Sequence, residues 1–164
     1  MKKYSRIIIV LNLALLLLYF NYSVNKKEEL LANGQLILLE LAPVDPRSLI
    51  QGDYMRLRYA ISEINYETRK EMPKRGYCVV TLDSNGKANR VRLQEKLTPL
   101  NQGEQLIEYT SSDRGDINIG SESFFFQEGQ AKKYEKAKYG GIKIDKNGNS
   151  LLIGLYDEEF KRIE

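Results

Sequence analysis

The run DPRSLIQGDYMRLRY, residues 45–59, leads through a Gly-Asp turn into two tyrosines and two arginines. It brings Asp45, Arg47, Ser48, Asp53, Tyr54, Arg56, Arg58 and Tyr59 within fifteen positions. One reading is a structural lock. Asp45 caps a short helical turn, Pro46 fixes φ at its first position, and Arg47 reaches Asp53 as a bidentate partner. A second reading is a shallow binding site, where Arg47, Asp53, Tyr54 and Arg56 offer donors and acceptors to a ligand or partner. Gly52 permits the turn that starts the strand, and Leu57 and Tyr59 follow on its inner face.

A third reading is hydrolytic. The stretch faintly resembles the active-site segment of signal-peptidase-like serine proteases, in which a serine precedes a Pro-containing turn and a lysine acts as base. Here Asp45 stands before Pro46, Ser48 follows it, and Gln51 rather than lysine lies three residues beyond Ser48. The chain has no histidine, which removes Ser-His and Cys-His catalysis and the usual histidine-containing zinc sites. Its single cysteine, Cys78, sits in the apolar run YCVV and reads as a small buried hydrophobe. No spacing singles out a pair of carboxylates for acid–base work. Asp-x-Asn-Gly occurs at 83–86 and 145–148, but neither copy continues with the acidic ligands of a calcium loop, so both read as turns. No metal and no cofactor is expected.

These residues need strands to position them. Alternation after Gly52 puts Met55, Leu57, Tyr59 and Ile61 on a core face, and Tyr54, Arg56, Arg58 and Ala60 on a half-solvated one. The expected strands are 35–42, 54–62, 77–82, 88–93, 105–109, 117–126, 142–144 and 151–155. Short helical stretches are expected at 26–32 and 129–139, and residues 63–75 read as a loop. The two Asn-Gly pairs predict hairpins closed by type I′ turns. Residues 79–93 align without gaps on 141–155, which fits either a duplicated hairpin or convergence on the same turn. The pattern is that of an α+β chain: one N-terminal apolar helix, then one β-rich domain of mostly antiparallel strands and hairpins with short helices.

Charge locates the anchor. Lys2, Lys3 and Arg6 are the only charged residues before Lys26; removing them from 25 basic residues leaves 22, against 22 acidic. A neutral domain carries no electrostatic footprint for nucleic acid. Residues 7–20 are apolar except for Asn12, and extending the run through NYSV to residue 24 makes it long enough to cross the lipid bilayer. Tyr19, Phe20 and Tyr22 suit the interface, and no A-x-A cleavage pattern follows. The reading is a cytoplasmic segment 1–6, an uncleaved anchor 7–24 and an extracytoplasmic domain 25–164, with the N-terminus held inside by its positive charges. Sparse cysteine agrees with an oxidising space.

Gly52-Asp53-Tyr54-x-x-Leu57-x-Tyr59 resembles the signature of the GDYXXLXY protein family. Residues 43–47 resemble its lead-in, 124–137 its second segment of aromatic strand, Glu-Gly and short helix, and 144–155 its terminal hairpin. The resemblance implies a membrane-anchored bacterial protein without an assigned reaction, with a multi-pass membrane protein as partner. It carries over no catalytic residue. Asp45, Arg47, Gly52, Asp53, Tyr54, Leu57 and Tyr59 carry over as family-defining positions. The expected function is an extracytoplasmic interaction module that partners an integral membrane protein; the alternative is an envelope hydrolase or degenerate signal-peptidase-like domain.

Overall fold

A computed structural model describes residues 2–42, 50–51, 54–111 and 116–164. Residues 45–49 of the helical turn expected at 45–51, the Arg47–Asp53 pair, Ser48 and the motif positions Asp45, Gly52 and Asp53 lie outside the described residues; Ile50 and Gln51, expected to end that turn, are instead extended and pair in a strand. One unbroken helix, α1 (Lys2–Asn33), carries the apolar run and the KKEELLA stretch together. From Ile7 onward it is long and apolar enough to cross a membrane, and none of its most apolar window is buried within the protein. The helix thus runs past residue 24, and its last turns dock on the domain. Leu30 is 7% exposed there, and the Lys143 ammonium bonds the terminal carbonyls of Leu31 and Ala32. A cation at those orphan carbonyls is where the helix dipole favours one.

The domain is built from two larger antiparallel sheets and a small one. Strand β1 (Gln35–Glu40), β2 (Ile50–Gln51) and β3 (Tyr54–Arg56) are followed by a 3-10 turn (Ala60–Ser62) and helix α2 (Tyr66–Glu71). Then come β4 (Arg75–Leu82), β5 (Ala88–Gln94), β6 (Glu104–Ser111), β7 (Ile117–Asn118), β8 (Ser123–Phe125), helix α3 (Ala131–Tyr134), β9 (Tyr139–Ile144) and β10 (Ser150–Tyr156). The sheets run β1-β9-β10, β5-β4-β6-β7 and β2-β3-β8. Their inner faces share one core, with Ile37, Leu39, Val80, Ile107, Ile142 and Leu155 fully buried.

The aligned segments form two equivalent hairpins, β4–β5 and β9–β10. Each has one extra residue on its second strand. Val79 pairs with Arg92 and Val80 with Arg90, skipping Val91; Gly141 pairs with Gly154 and Ile142 with Leu152, skipping Ile153. Val91 and Ile153 are aligned positions, so the bulge falls at one place in both copies. The turns then cross over. The Gly86 carbonyl accepts the Leu38 N–H of the other sheet at 2.9 Å, and the Gly148 carbonyl accepts the Glu108 N–H at 2.8 Å. An Asp-x-Asn-Gly turn alone demands neither feature, so the likeness extends beyond the turn.

Several expectations are corrected. The turns are not type I′. Of the central pairs only Gly86 and Gly148 have positive φ, 78° and 84°, while Asn85 and Asn147 do not. A three-residue loop needs a left-handed residue only at its end, which glycine supplies without a Cβ penalty. The strand expected at 54–62 is ladder-paired only at Tyr54–Arg56, then runs extended into the 3-10 turn. The strand expected at 117–126 breaks at Gly120, φ 79°, into β7 and β8 in different sheets. Residues 66–71 of the expected loop are helical. The helix expected at 129–139 shrinks to Ala131–Tyr134, because Tyr139 already pairs with Glu40 and Tyr156 in the β9 sheet.

Candidate functional site

The alternation that follows Gly52 survives even where the ladder ends. Met55, Leu57, Tyr59 and Ile61 are buried, while Arg56, Arg58 and Ala60 are exposed and Tyr54 is half-buried. Tyr59 is fully buried, and its hydroxyl donates to the Ser121 carbonyl at 2.6 Å. Burial, with the nearby Glu122 charge added, pushes that phenol well above its ordinary range. The Leu57 N–H donates to the Glu122 carbonyl at 2.7 Å, and Glu122 Oε1 accepts the Ile119 N–H at 2.5 Å. The loop of residues 119–122 therefore clasps the inner half of the motif.

Space for Tyr59 comes from β9. A Cβ on Gly140 would stand 2.9 Å from the Tyr59 ring, and one on Gly141 would stand 2.2 Å from the Tyr156 ring. Sequence reasoning missed Ser121, Glu122 and this glycine pair. The signal available was the Gly140-Gly141 pair inside the strand YGGIKI, which marks a close approach by another group.

The outer half is a different surface. Tyr54 pairs across the ladder with Phe125, ring centroids 5.8 Å apart, and Phe125 is 74% exposed. Its neighbours Phe124 and Phe126 turn the other way and pack on Tyr134, at 4.9 and 5.5 Å. Arg58 bonds Asp116 at 3.3 Å and lies 3.7 Å from Glu63, so its charge is answered within the domain. Arg56 is exposed with no ion-pair partner among the described residues. Tyr54, Phe125 and Arg56 thus form a compact aromatic–cationic patch.

Ser-x-x-Lys occurs at 23–26 and 84–87. Neither lysine is placed as a base. Lys26 bonds Asn149 at 3.2 Å, and Lys87 pairs with Glu40 at 2.6 Å, which raises its pKa and holds its proton. Cys78 is fully buried, and burial pushes its thiol up to about 12, as a packing residue requires and a nucleophile does not. Among the described residues no three acidic or cysteine side chains converge on a metal position.

A further ionic cluster lies away from the motif. Arg92 grips Glu104 through both guanidinium nitrogens at 2.5 and 2.8 Å, and Asn101 donates its N–H and side-chain amide to the same carboxylate. These donors, Arg92 first, hold the Glu104 carboxyl down at about 2. The Arg92 Nη2 also donates to the Pro99 carbonyl at 3.0 Å, so the cluster fixes the 96–103 loop. No sequence spacing announced it.

Two clefts flank the last turns of α1. One, about 380 Å³, is walled by Ser23, Lys26, Lys27 and Leu30 on the helix and by β6, β7 and the β9–β10 turn on the domain. The other, about 630 Å³, extends from Tyr22 and Glu29 to Lys146 and Asn147. A family model described as GDYXXLXY protein matches residues 16–155. No curated protein and no solved structure matches the chain.

Proposed function

The chain belongs to the GDYXXLXY protein family, and on that premise we propose that it is a membrane-anchored, extracytoplasmic interaction domain whose partner is an integral membrane protein. The observation that carries this reading is the exposed Phe125 ring paired with Tyr54 beside Arg56. Tyrosine, phenylalanine and arginine are enriched at the centres of protein interfaces, where ring area and a desolvated guanidinium contribute most. The apolar helix would tether the domain that carries the patch to the bilayer, where loops of a multi-pass protein are available surfaces. Lys2, Lys3 and Arg6 favour a cytoplasmic N-terminus, which puts the domain on the opposite side.

A photo-activatable residue at position 125, expressed in intact membranes, tests the partner. The expected product is a cross-link to a second, multi-pass membrane protein, lost in Arg56→Glu. Recovery of the chain alone overturns the reading. Orientation is tested separately by reporters fused after Glu164: one active only outside the cytoplasm should work, and activity of a cytoplasm-only reporter reverses the assignment. The hydrolase alternative would place its chemistry on Ser48 or Asp53, which lie outside the described residues.

A further inference from the structure

The cleft between α1 and the domain is absorbed neither by the motif nor by the aromatic patch. We propose that it holds the headgroup of a membrane phospholipid bearing both a phosphodiester and a primary ammonium.

Depth is the first argument. An α-helix rises ~1.5 Å per residue, so with residues 7–24 in the hydrocarbon, Leu30 stands roughly 9 Å beyond Val24. The headgroup layer on each side of a bilayer is about 5–8 Å thick. Ser23, Lys26, Lys27 and Leu30, one whole wall of the cleft, therefore span that layer. The cleft cannot drift from this level. The helix is unbroken, Leu30 is packed on the domain, Lys143 bonds the helix's terminal carbonyls, and Lys26 bonds Asn149.

Charge is the second argument. Lys26 and Lys27 bring two ammonium groups to the helix wall. Asp145 also lines the cleft, but its carboxylate already accepts the N–H groups of Asn147 and Asn149 and the Asn149 side-chain amide, at 2.7–2.9 Å. Glu108, on β6, is exposed and has no side-chain partner among the described residues. With Lys26 held by Asn149 and Asp145 by its own turn, Lys27 on the helix wall and Glu108 on the domain wall are the lining charges without a hydrogen-bonded partner among the described residues. A phosphate against the lysines with an ammonium directed to Glu108 satisfies both, and the exposed Asn118 amide adds a donor on the domain wall. A purely anionic headgroup leaves Glu108 opposed. A volume of about 380 Å³ accommodates such a headgroup with its water.

The inference rests on α1 spanning a bilayer and is independent of any protein partner. The test uses the purified full chain in detergent micelles, offered equal amounts of phosphatidylethanolamine and phosphatidylglycerol, with retained lipid counted by native mass spectrometry. Phosphatidylethanolamine should be retained preferentially. Lys27→Gln and Glu108→Gln should each lower its retention about fivefold, the scale of one charge at a membrane surface. Asn118→Ala should lower retention by a smaller factor, and none of the three should shift the thermal midpoint. Equal retention of the two lipids overturns the proposal. So does sensitivity to Lys27→Gln without any to Glu108→Gln or Asn118→Ala, because that pattern belongs to a lysine touching any bilayer. Displacement of the lipid by soluble glycerophosphoethanolamine at equal concentration would likewise overturn it, in favour of a free small-molecule site.

Discussion

The β4–β5 and β9–β10 hairpins share a turn, a bulge position and a reciprocal backbone bond, yet their centres are filled in opposite ways. The first buries its own side chains: Cys78, Val79 and Val80 are fully inaccessible. At the aligned positions the second has Gly140, Gly141 and Ile142, and the volume that Cys78 and Val79 fill is taken by the rings of Tyr59 and Tyr156. One copy closes on itself, while the other is completed by a residue contributed from the family signature. The signature's inner half is therefore a structural plug for a hollowed repeat. The turns diverge in the same sense, since the β9–β10 turn faces α1 and its clefts, whereas the β4–β5 turn is tied to β1 through the Gly86 carbonyl and the Lys87–Glu40 pair.

The comparison breaks most sharply at Tyr59. Tyr59→Ala should cost about 3–5 kcal/mol by urea denaturation, the range for emptying an aromatic site in a core. Cys78→Ala, in the self-filled hairpin, should cost a small fraction of that. Similar losses from the two would mean that the hairpins are packed alike. Next in size is Gly140→Ala, expected to cost roughly 1–3 kcal/mol through overpacking against the Tyr59 ring. In a Tyr59→Ala background that cost should nearly vanish, so the double-mutant cycle reads the contact itself; simple additivity would refute it.

The turns can be compared directly. The Asp145 carboxylate accepts three hydrogen bonds and that of Asp83 accepts two, from the N–H groups of Asn85 and Lys87. Asp145→Ala should thus cost more than Asp83→Ala, by about 1 kcal/mol on the usual scale of one hydrogen bond. Thermal midpoints of the two variants check the order. The smallest effect sharpens a third member of the set. Residues 157–161 repeat the loop, with Asp157 accepting from Glu159 and Lys161, but with Phe160 where glycine stands in the hairpins, at φ 61°. Its ring stacks on Tyr139 with centroids 4.9 Å apart. Phe160→Gly should shift stability by less than about 1 kcal/mol, because relief of the left-handed strain offsets the lost stack.

Acid probes the self-filled side separately. The Glu104 carboxyl sits at about 2 in the folded protein and in the ordinary carboxylate range when unfolded. Its contribution is present above the unfolded value and is lost as pH falls from about 4.5 towards 2. Unfolding midpoints measured across that interval should fall more steeply in the parent than in Glu104→Gln, where the titrating group is gone.

Much of this was legible from the chain. Strict alternation after Gly52 assigned Tyr59 inward and Tyr54 outward, because a strand has only two faces and the choice between apolar and charged residues settles them. The gapless match of 79–93 with 141–155 pointed to paired hairpins. An apolar run bounded by charges marked the membrane-length helix. The errors have physical causes as well. The Asn-Gly pairs carried a turn but not its type, since loop length rather than composition decides how many residues are left-handed. FFF read as one buried strand, yet Gly120 redirects the chain and alternation leaves Phe125 outside.

By itself the sequence determined what local periodicity and composition can encode: the helix, the hairpins, the inward and outward halves of the signature, and the exclusion of histidine chemistry. Only the tertiary structure decided what those halves meet. Tyr59 reaches a carbonyl 62 residues away and fills a space made by Gly140, Glu104 is matched to Arg92 and Asn101, and Lys26 and Lys27 line a cleft with Glu108. Such contacts join elements distant in the chain, and their geometry exists only once the sheets have packed and the last turns of α1 have docked against them.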